Sequence, residues 1–485
     1  MTHEEYVQMD ATALAEGIRK KSFSASEALD AALARLDAVN PQINAVVHRA
    51  EAFGRAQITE DNGDGSCNGR FAGVPFLVKD LSLQVKGLPL TNGSGFFRGY
   101  VPDFDNTLTR RQRAAGLVIF GRTASPEFGL GPITEPATHG PCRNPWNLDH
   151  QTGGSSGGSA AAIAAGIVPM AHATDGGGSI RMPAAHCGLF GLKPTRGRLP
   201  SGPVLGEAWN GVAVPHVISR SVRDSAAMLD LTAGASPGDP YAAPGQGPWL
   251  PLVNRPPASL RIALSTATPA GLPVHPQVRA GVEAAGRLLE SLGHHVEEAQ
   301  ISIDLDEIYR HFWLVSGTNV AAIFTARAKA LGRPPGPDEI EPATRAIIAR
   351  ARAASAEDYV RALQWMHALG RRMGAFFTRY DVALTPVYAN PPLPVGSLSM
   401  QTADFATYSD MLQNERPFTA MYNLSGGPAM SVPLHWTPDG LPVGIHFGAD
   451  MGREDLLIQL AGQLEQVAPW AHKRPAMQGK SSHAS

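Results

Sequence analysis

The sequence predicts an α/β fold: a mixed central β-sheet covered by α-helices on both faces, with a helical insert. Three observations predict it. Short apolar runs of strand length alternate with amphipathic stretches of helical period along most of the chain. Turns bearing glycine or proline separate those runs. Residues 305–380 break the alternation and read as almost wholly helical.

The elements follow in order. Asp10 and Ser24 read as N-caps, because a short polar side chain can accept from the free N–H groups of a first helical turn. They precede helices at 12–20 and 26–39. A turn-rich loop falls at 63–69, and the run 71–78 is a buried strand that ends at Lys79-Asp80. A helix at 108–115 joins a strand at 117–120 through Gly116. Next come a helix at 159–165, a strand at 167–171, a helix at 221–232, a strand at 260–264 and a helix at 277–292. The Pro/Gly-rich segment 237–256 reads as a surface loop. The helical insert contains stretches at 308–331, 343–353 and 357–380. Strands return at 382–385, 429–433 and 443–447, the last two joined by the hairpin signal Asp439-Gly440. A helix at 454–467 closes the fold, and 478–485 reads as a disordered tail.

The chain has 485 residues, 43% of them hydrophobic, enough for one large or two to three ordinary domains; the reading is a single domain over 1–485 with 305–380 as a helical subdomain within it. Its net charge is −2 and only 17% of residues are charged. That lacks the basic excess that nucleic acids and anionic membranes select. Cys67, Cys142 and Cys187 are too few and too scattered for a disulfide framework or a CxxC zinc site. The N-terminus shows no basic and apolar leader, and the most apolar run, 159–173, is short and broken by Pro169. The reading is a soluble cytoplasmic protein with no metal, cofactor, nucleic-acid or membrane partner.

The chemistry concentrates in 153–181, which reads GGSSGGSAAAIAAGIVPMAHATDGGGSIR. Ser155 and Ser179 lie 24 positions apart, each beside a glycine run. Glycine lets backbone approach a ligand closely, so each serine is a candidate nucleophile with oxyanion donors at hand. Gly153-Gly154-Ser155-Ser156-Gly157 matches a GxSxG nucleophile elbow, which requires a buried strand before it. A polar loop, 144–152, stands there instead. No GxGxxG fingerprint or P-loop is present. His139, His150, His172 and His186 flank the stretch without a repeating interval and read as polar helpers rather than as a base. Lys79 is the alternative base. It ends an apolar strand, and burial lowers a lysine pKa, by up to ~3–5 units when complete, which leaves a neutral amine. Ser156 and Ser159 read as loop and cap residues.

Four segments then amount to a resemblance: Gly73-Val-Pro-Phe-Leu-Val-Lys79-Asp80, Gly153-Gly-Ser155-Ser-Gly-Gly-Ser159, Thr174-Asp-Gly-Gly-Gly-Ser179-Ile-Arg181 and Cys187-Gly-Leu-Phe-Gly-Leu-Lys-Pro-Thr195. Together they resemble the amidase signature family over about 71–200. Weaker likeness continues through 423–433 and 440–445, and within the family the pattern is similar to the hydrolases of 6-aminohexanoate cyclic dimer, with urethanases in the same family. The resemblance implies the amidase signature fold and a Ser–cis-Ser–Lys triad. Ser179 would be the nucleophile, Ser155 the bridging cis-serine and Lys79 the terminal base. Gly176, Gly177 and Gly178, with Ser179, would supply oxyanion N–H groups. Asp175 and Arg181 would support the loop, and Phe128, Trp146 and Tyr422 would line the acyl pocket. Gly176 and Ala124 depart from the family pattern, where a larger and a polar residue are common. The implied activity is hydrolysis of linear, cyclic or aryl amides, extending to carbamates, through an acyl-enzyme without a cofactor. A homodimer is compatible with it. Three rivals stand: the amidase subunit of a tRNA-dependent amidotransferase, an esterase of α/β-hydrolase type that attacks with Ser155, and a non-catalytic protein that holds an anion in the glycine loops.

Overall fold

The computed structural model describes residues 1–62, 69–240 and 242–477. Thirteen strands are formed among them. They are β1 (Val46–Arg49), β2 (Pro75–Lys79), β3 (Val118–Thr123), β4 (Arg143–Asn144), β5 (Asn147–Gln151), β6 (Met170–Asp175) and β7 (Phe190–Lys193). The remainder are β8 (Val214–Ser219), β9 (Arg261–Leu264), β10 (His295–Glu298), β11 (Val382–Pro386), β12 (Ala429–Trp436) and β13 (Pro442–Gly448). Eleven of them make one mixed sheet in the order β1-β3-β2-β6-β8-β7-β12-β13-β11-β9-β10. β2 runs parallel to both β3 and β6, whereas β6 and β8 are antiparallel. Every residue of β2, β3, β7 and β13 is buried. Strands with both faces buried need cover on both sides, which explains their near-continuous apolar sequences. The edge strand β10 is mostly exposed and correspondingly polar.

Helix caps form where the sequence places them. Asp10 accepts from Ala13 N–H, and Ser24 makes a capping box with Glu27, opening helices Ala11–Arg19 and Ala25–Ile43. The insert is built from helices Leu305–Leu331, Pro342–Ala353 and Ala356–Phe377. Its apolar core extends beyond 305–380, because Phe96, Phe97 and Phe128 and helices Phe405–Glu415 and Ala420–Ser425 pack into it. No described helix is long and apolar enough to cross a membrane.

Several local readings are corrected. The strand placed at 167–171 runs from Met170 to Asp175, because a tight turn through Gly166 (φ +80°) precedes it. That shift brings Thr174 and Asp175 to the strand's end. The polar loop at 144–152 is a small hairpin of β4 and β5. Segment 237–256 is not all surface: Trp249 and Val253 are buried, with the Arg198 guanidinium 5.0 Å above the indole. Residues 63–68 of the loop expected at 63–69, Cys67 among them, and the tail expected at 478–485 lie outside the described residues. Cys142 and Cys187 are buried free thiols.

Candidate active site

Three pieces of chain supply the site. β2, third in the sheet, delivers Lys79 with β3 on one side and β6 on the other. The turn 153–156 delivers Ser155, and the loop leaving β6 delivers Ser179. Ser155 and Ser179 line one cavity of about 80 Å³.

Lys79 is fully buried, and its Nζ donates to Ser155 Oγ at 2.7 Å and to Thr174 Oγ1 at 2.9 Å. Burial holds this amine well below the ordinary lysine range, against the pull of the Asp175 charge. Neither hydroxyl partner carries a charge that would offset the loss of solvation. The Gly154–Ser155 peptide is cis. Glycine is required around it: a Cβ on Gly154 would lie 2.5–2.7 Å from Ile133 backbone atoms, and one on Gly129 (φ +69°) 3.0 Å from Ser155 Oγ.

The loop that carries Ser179 is held by Asp175. Its carboxylate accepts from Gly178 N–H (2.7 Å), Ile180 N–H (3.1 Å), Asn423 Nδ2 (2.9 Å) and Arg181 Nε and Nη2 (both 2.9 Å). Burial would raise this carboxyl, but the Arg181 charge and hydrogen bonds, with Lys193 and Asn423, hold it well below the usual carboxylate range. Arg181 is itself fully buried and also donates to the Thr419 carbonyl (3.0 Å) and Asn423 Oδ1 (2.7 Å). Thr419 Oγ1 donates to the Gly177 carbonyl at 2.6 Å. The loop's backbone is thus fixed from both ends.

One oxyanion assignment changes. The Gly178 N–H is taken by Asp175 and cannot also bind a substrate oxygen. Among the described residues no acceptor is bound by the N–H groups of Gly176, Gly177 or Ser179, and of these Gly176 and Ser179 line the cavity. Gly178 serves the turn instead, at φ +131° and pressed against Thr419.

The three aromatic pocket residues are corrected as well. Phe128 packs into the insert, 4.7 Å from Phe324 and 5.2 Å from Phe97. Trp146 donates its indole N–H to the Cys187 carbonyl and lies against Trp436. Tyr422 is buried between Arg181 and His446. Aromatics pack into cores before they line sites, and here the cavity wall is made by Leu81, Leu83, Leu108, Leu205, Val214 and Trp209. Ala124 packs on Gly158 rather than on the cavity.

The histidines pair with neither serine among the described residues. His186 stacks on Tyr388 at 3.9 Å, and burial lowers it to about 3. His172 lies under the cavity beside Lys79, pushed well below its ordinary range by burial and by that lysine. Ser159 bonds Thr123 and the His172 carbonyl, and Ser156 the Thr174 carbonyl, so both act in packing. No group of three or more His, Cys, Asp or Glu side chains among the described residues could hold a metal ion. Sequence reading missed Thr174, Thr419 and Asn423. Thr174 and Asn423 stand inside segments quoted above, and their polarity amid buried neighbours was the available signal.

A model of the amidase family matches residues 27–458, and the chain belongs to that family. It is a hydrolase of carbon–nitrogen bonds other than peptide bonds. Over 482 residues, 96% of each chain, it is 36% identical to the 6-aminohexanoate-cyclic-dimer hydrolase of Paenarthrobacter ureafaciens. The solved structure of a 6-aminohexanoate cyclic dimer hydrolase matches with a TM-score of 0.91 at 35% identity, over 97% of this chain and 99% of that one. A bacterial aryl acylamidase of the amidase signature family matches with a TM-score of 0.86 at 26% identity, over 96% and 97%.

Proposed function

We propose that this chain hydrolyses uncharged cyclic or aryl amides, and carbamates of similar shape, through an acyl-enzyme on Ser179. The observation that carries the reading is the 2.7 Å contact between the buried Lys79 amine and Ser155, in the cavity that Ser179 shares. A neutral amine accepts the Ser155 proton as Ser155 takes that of Ser179. The Ser179 oxygen bonds the carbonyl carbon, and the N–H groups of Gly176, Gly177 and Ser179 receive the negative charge on oxygen. The relay returns the proton to the departing nitrogen as the C–N bond breaks. Water then attacks the ester, activated by the same route, and free Ser179 is restored. The lining residues include no acidic side chain, lysine or arginine, which supports an uncharged substrate. The sequence reading adds a cytoplasmic, free-standing enzyme, compatible with a homodimer.

The test is a panel of anilides, cyclic amides, aliphatic amides and carbamates with the isolated chain. Ser179→Ala is expected to lose about 10³-fold or more in kcat, and Lys79→Ala about 10²–10⁴-fold. Undiminished turnover by Ser179→Ala refutes the assignment. Dependence on His172 with Lys79 dispensable refutes the relay.

A further inference from the structure

The nucleophile loop has no side chain at 176, and a tryptophan fills the space. A Cβ built on Gly176 would lie 2.7 Å from Trp209 Cζ3 and 3.1 Å from Cε3. The six-membered edge of the indole therefore rests on the backbone that carries the unpaired Gly176 N–H. Trp209 is half-buried and lines the same cavity as Ser179.

The backbone beneath it is held in an unfavourable conformation. Trp209 (φ +51°) and Asn210 (φ +53°) are both left-handed, which is uncommon for a bulky residue and persists only where surroundings enforce it. Asn210 Oδ1 accepts from Asn319 Nδ2 at 3.0 Å and from the Tyr359 hydroxyl, tying the loop to helices Leu305–Leu331 and Ala356–Phe377. Arg196 Nε donates to the Gly211 carbonyl at 2.9 Å, tying it to the main body. The Phe312 ring meets the indole edge-on at 6.4 Å. A strained loop anchored on both sides presents one flat apolar group beside the oxyanion donors.

We propose that Trp209 is the specificity-determining wall of this site and selects amides that carry a flat, uncharged aryl substituent. Aromatic rings gain from offset or edge-on contact beyond simple burial. In a cavity of about 80 Å³ the indole also limits what can lie beside Gly176. Gly176 and Trp209 act as a unit, since a side chain at 176 and the indole claim the same space. The proposal rests on Ser179 being the attacking serine.

The experiment compares kcat/KM for an anilide and for the unsubstituted aliphatic amide of the same acyl group. Trp209→Ala is expected to lower the anilide value about tenfold or more through KM, within the range of pocket discrimination, and the aliphatic value less than about threefold. Trp209→Phe keeps part of the preference. Gly176→Ala loses about tenfold in the wild-type background, where it displaces the indole. In the Trp209→Ala background the same change costs several-fold less, because the nearest remaining neighbour of the new Cβ is then Ala213 Cβ at 3.6 Å. Equal losses on both amides, or additive losses in the double variant, overturn the proposal. Labelling by a serine-directed sulfonyl fluoride, present in the wild type and absent in Ser179→Ala, tests the nucleophile separately.

Discussion

Asp175→Asn isolates the part of the site that holds geometry without touching substrate. Asp175 Oδ1 receives Gly178 N–H, Arg181 Nη2 and Asn423 Nδ2, while Oδ2 receives Ile180 N–H and Arg181 Nε. An asparagine keeps one acceptor oxygen and turns an NH₂ group toward donors on the other side. It also leaves the Arg181 guanidinium, fully buried, without its counter-charge. Removing one partner of such a pair costs about 3–5 kcal/mol. Unfolding entropy of about 2.1 cal/mol/K per residue gives roughly 1 kcal/mol/K for 485 residues melting as one unit. The melting temperature should therefore fall by about 3–5 °C. Catalysis should fall further than stability explains, because Gly178 is released and the neighbouring oxyanion donors lose alignment, worth about 10²–10³-fold in kcat per donor. Calorimetry and steady-state kinetics on one preparation measure both. A variant within about 1 °C of the wild type that keeps kcat within about threefold refutes the account of the loop.

Two further outcomes follow from the relay. Only the neutral Lys79 amine can accept a proton, and burial lowers its pKa, so kcat/KM should rise with pH through an apparent pKa well below the ordinary lysine range and be lost as pH falls through it. Lys79→Arg, charged at every accessible pH, should be inactive throughout, and a flat wild-type profile from about pH 5 to about pH 10 contradicts the base assignment. Gly129→Ala places a Cβ 2.7 Å from Leu81 Cδ2 and 3.0 Å from Ser155 Oγ at a positive φ. It should cut kcat about 10²-fold by moving Ser155 off Lys79, the scale of general-base catalysis, and unchanged kcat beside a lowered melting temperature argues against that coupling.

The strongly periodic elements were legible from sequence. The helix at Glu454–Val467, the caps at Asp10 and Ser24 and the apolar run of β2 all rest on local signals. Strands such as β7 and β8 escaped because they take their strand character from neighbours distant in sequence. The serines and lysine stood out because glycine runs and a lysine ending an apolar strand are locally anomalous. The wall of the cavity did not, because Leu81, Leu108 and Trp209 become neighbours only through the fold. Trp146 and Tyr422 illustrate the converse: aromatic residues near the motifs in sequence were drawn into packing on Trp436 and on Arg181. The Gly178 donor was misassigned because sequence spacing cannot reveal that Asp175 folds back onto it.

The electrostatics of Asp175 and Lys79 explain why the guanidinium is needed. An anion near a buried amine draws a proton onto it, and the Asp175 charge acts on Lys79 in that sense. Left unpaired, it would favour the ammonium form, which can donate but cannot serve as base. Arg181 meets the same carboxylate with two hydrogen bonds at 2.9 Å. The carboxylate that acts on Lys79 has a partner of its own, and burial remains the larger influence, holding the amine well below the ordinary lysine range. The ion pair thus does two things with one geometry. It fixes the backbone that carries Ser179, and it pairs the one charge that would otherwise draw a proton onto Lys79, so the downward shift that the proposed relay through Ser155 needs is kept.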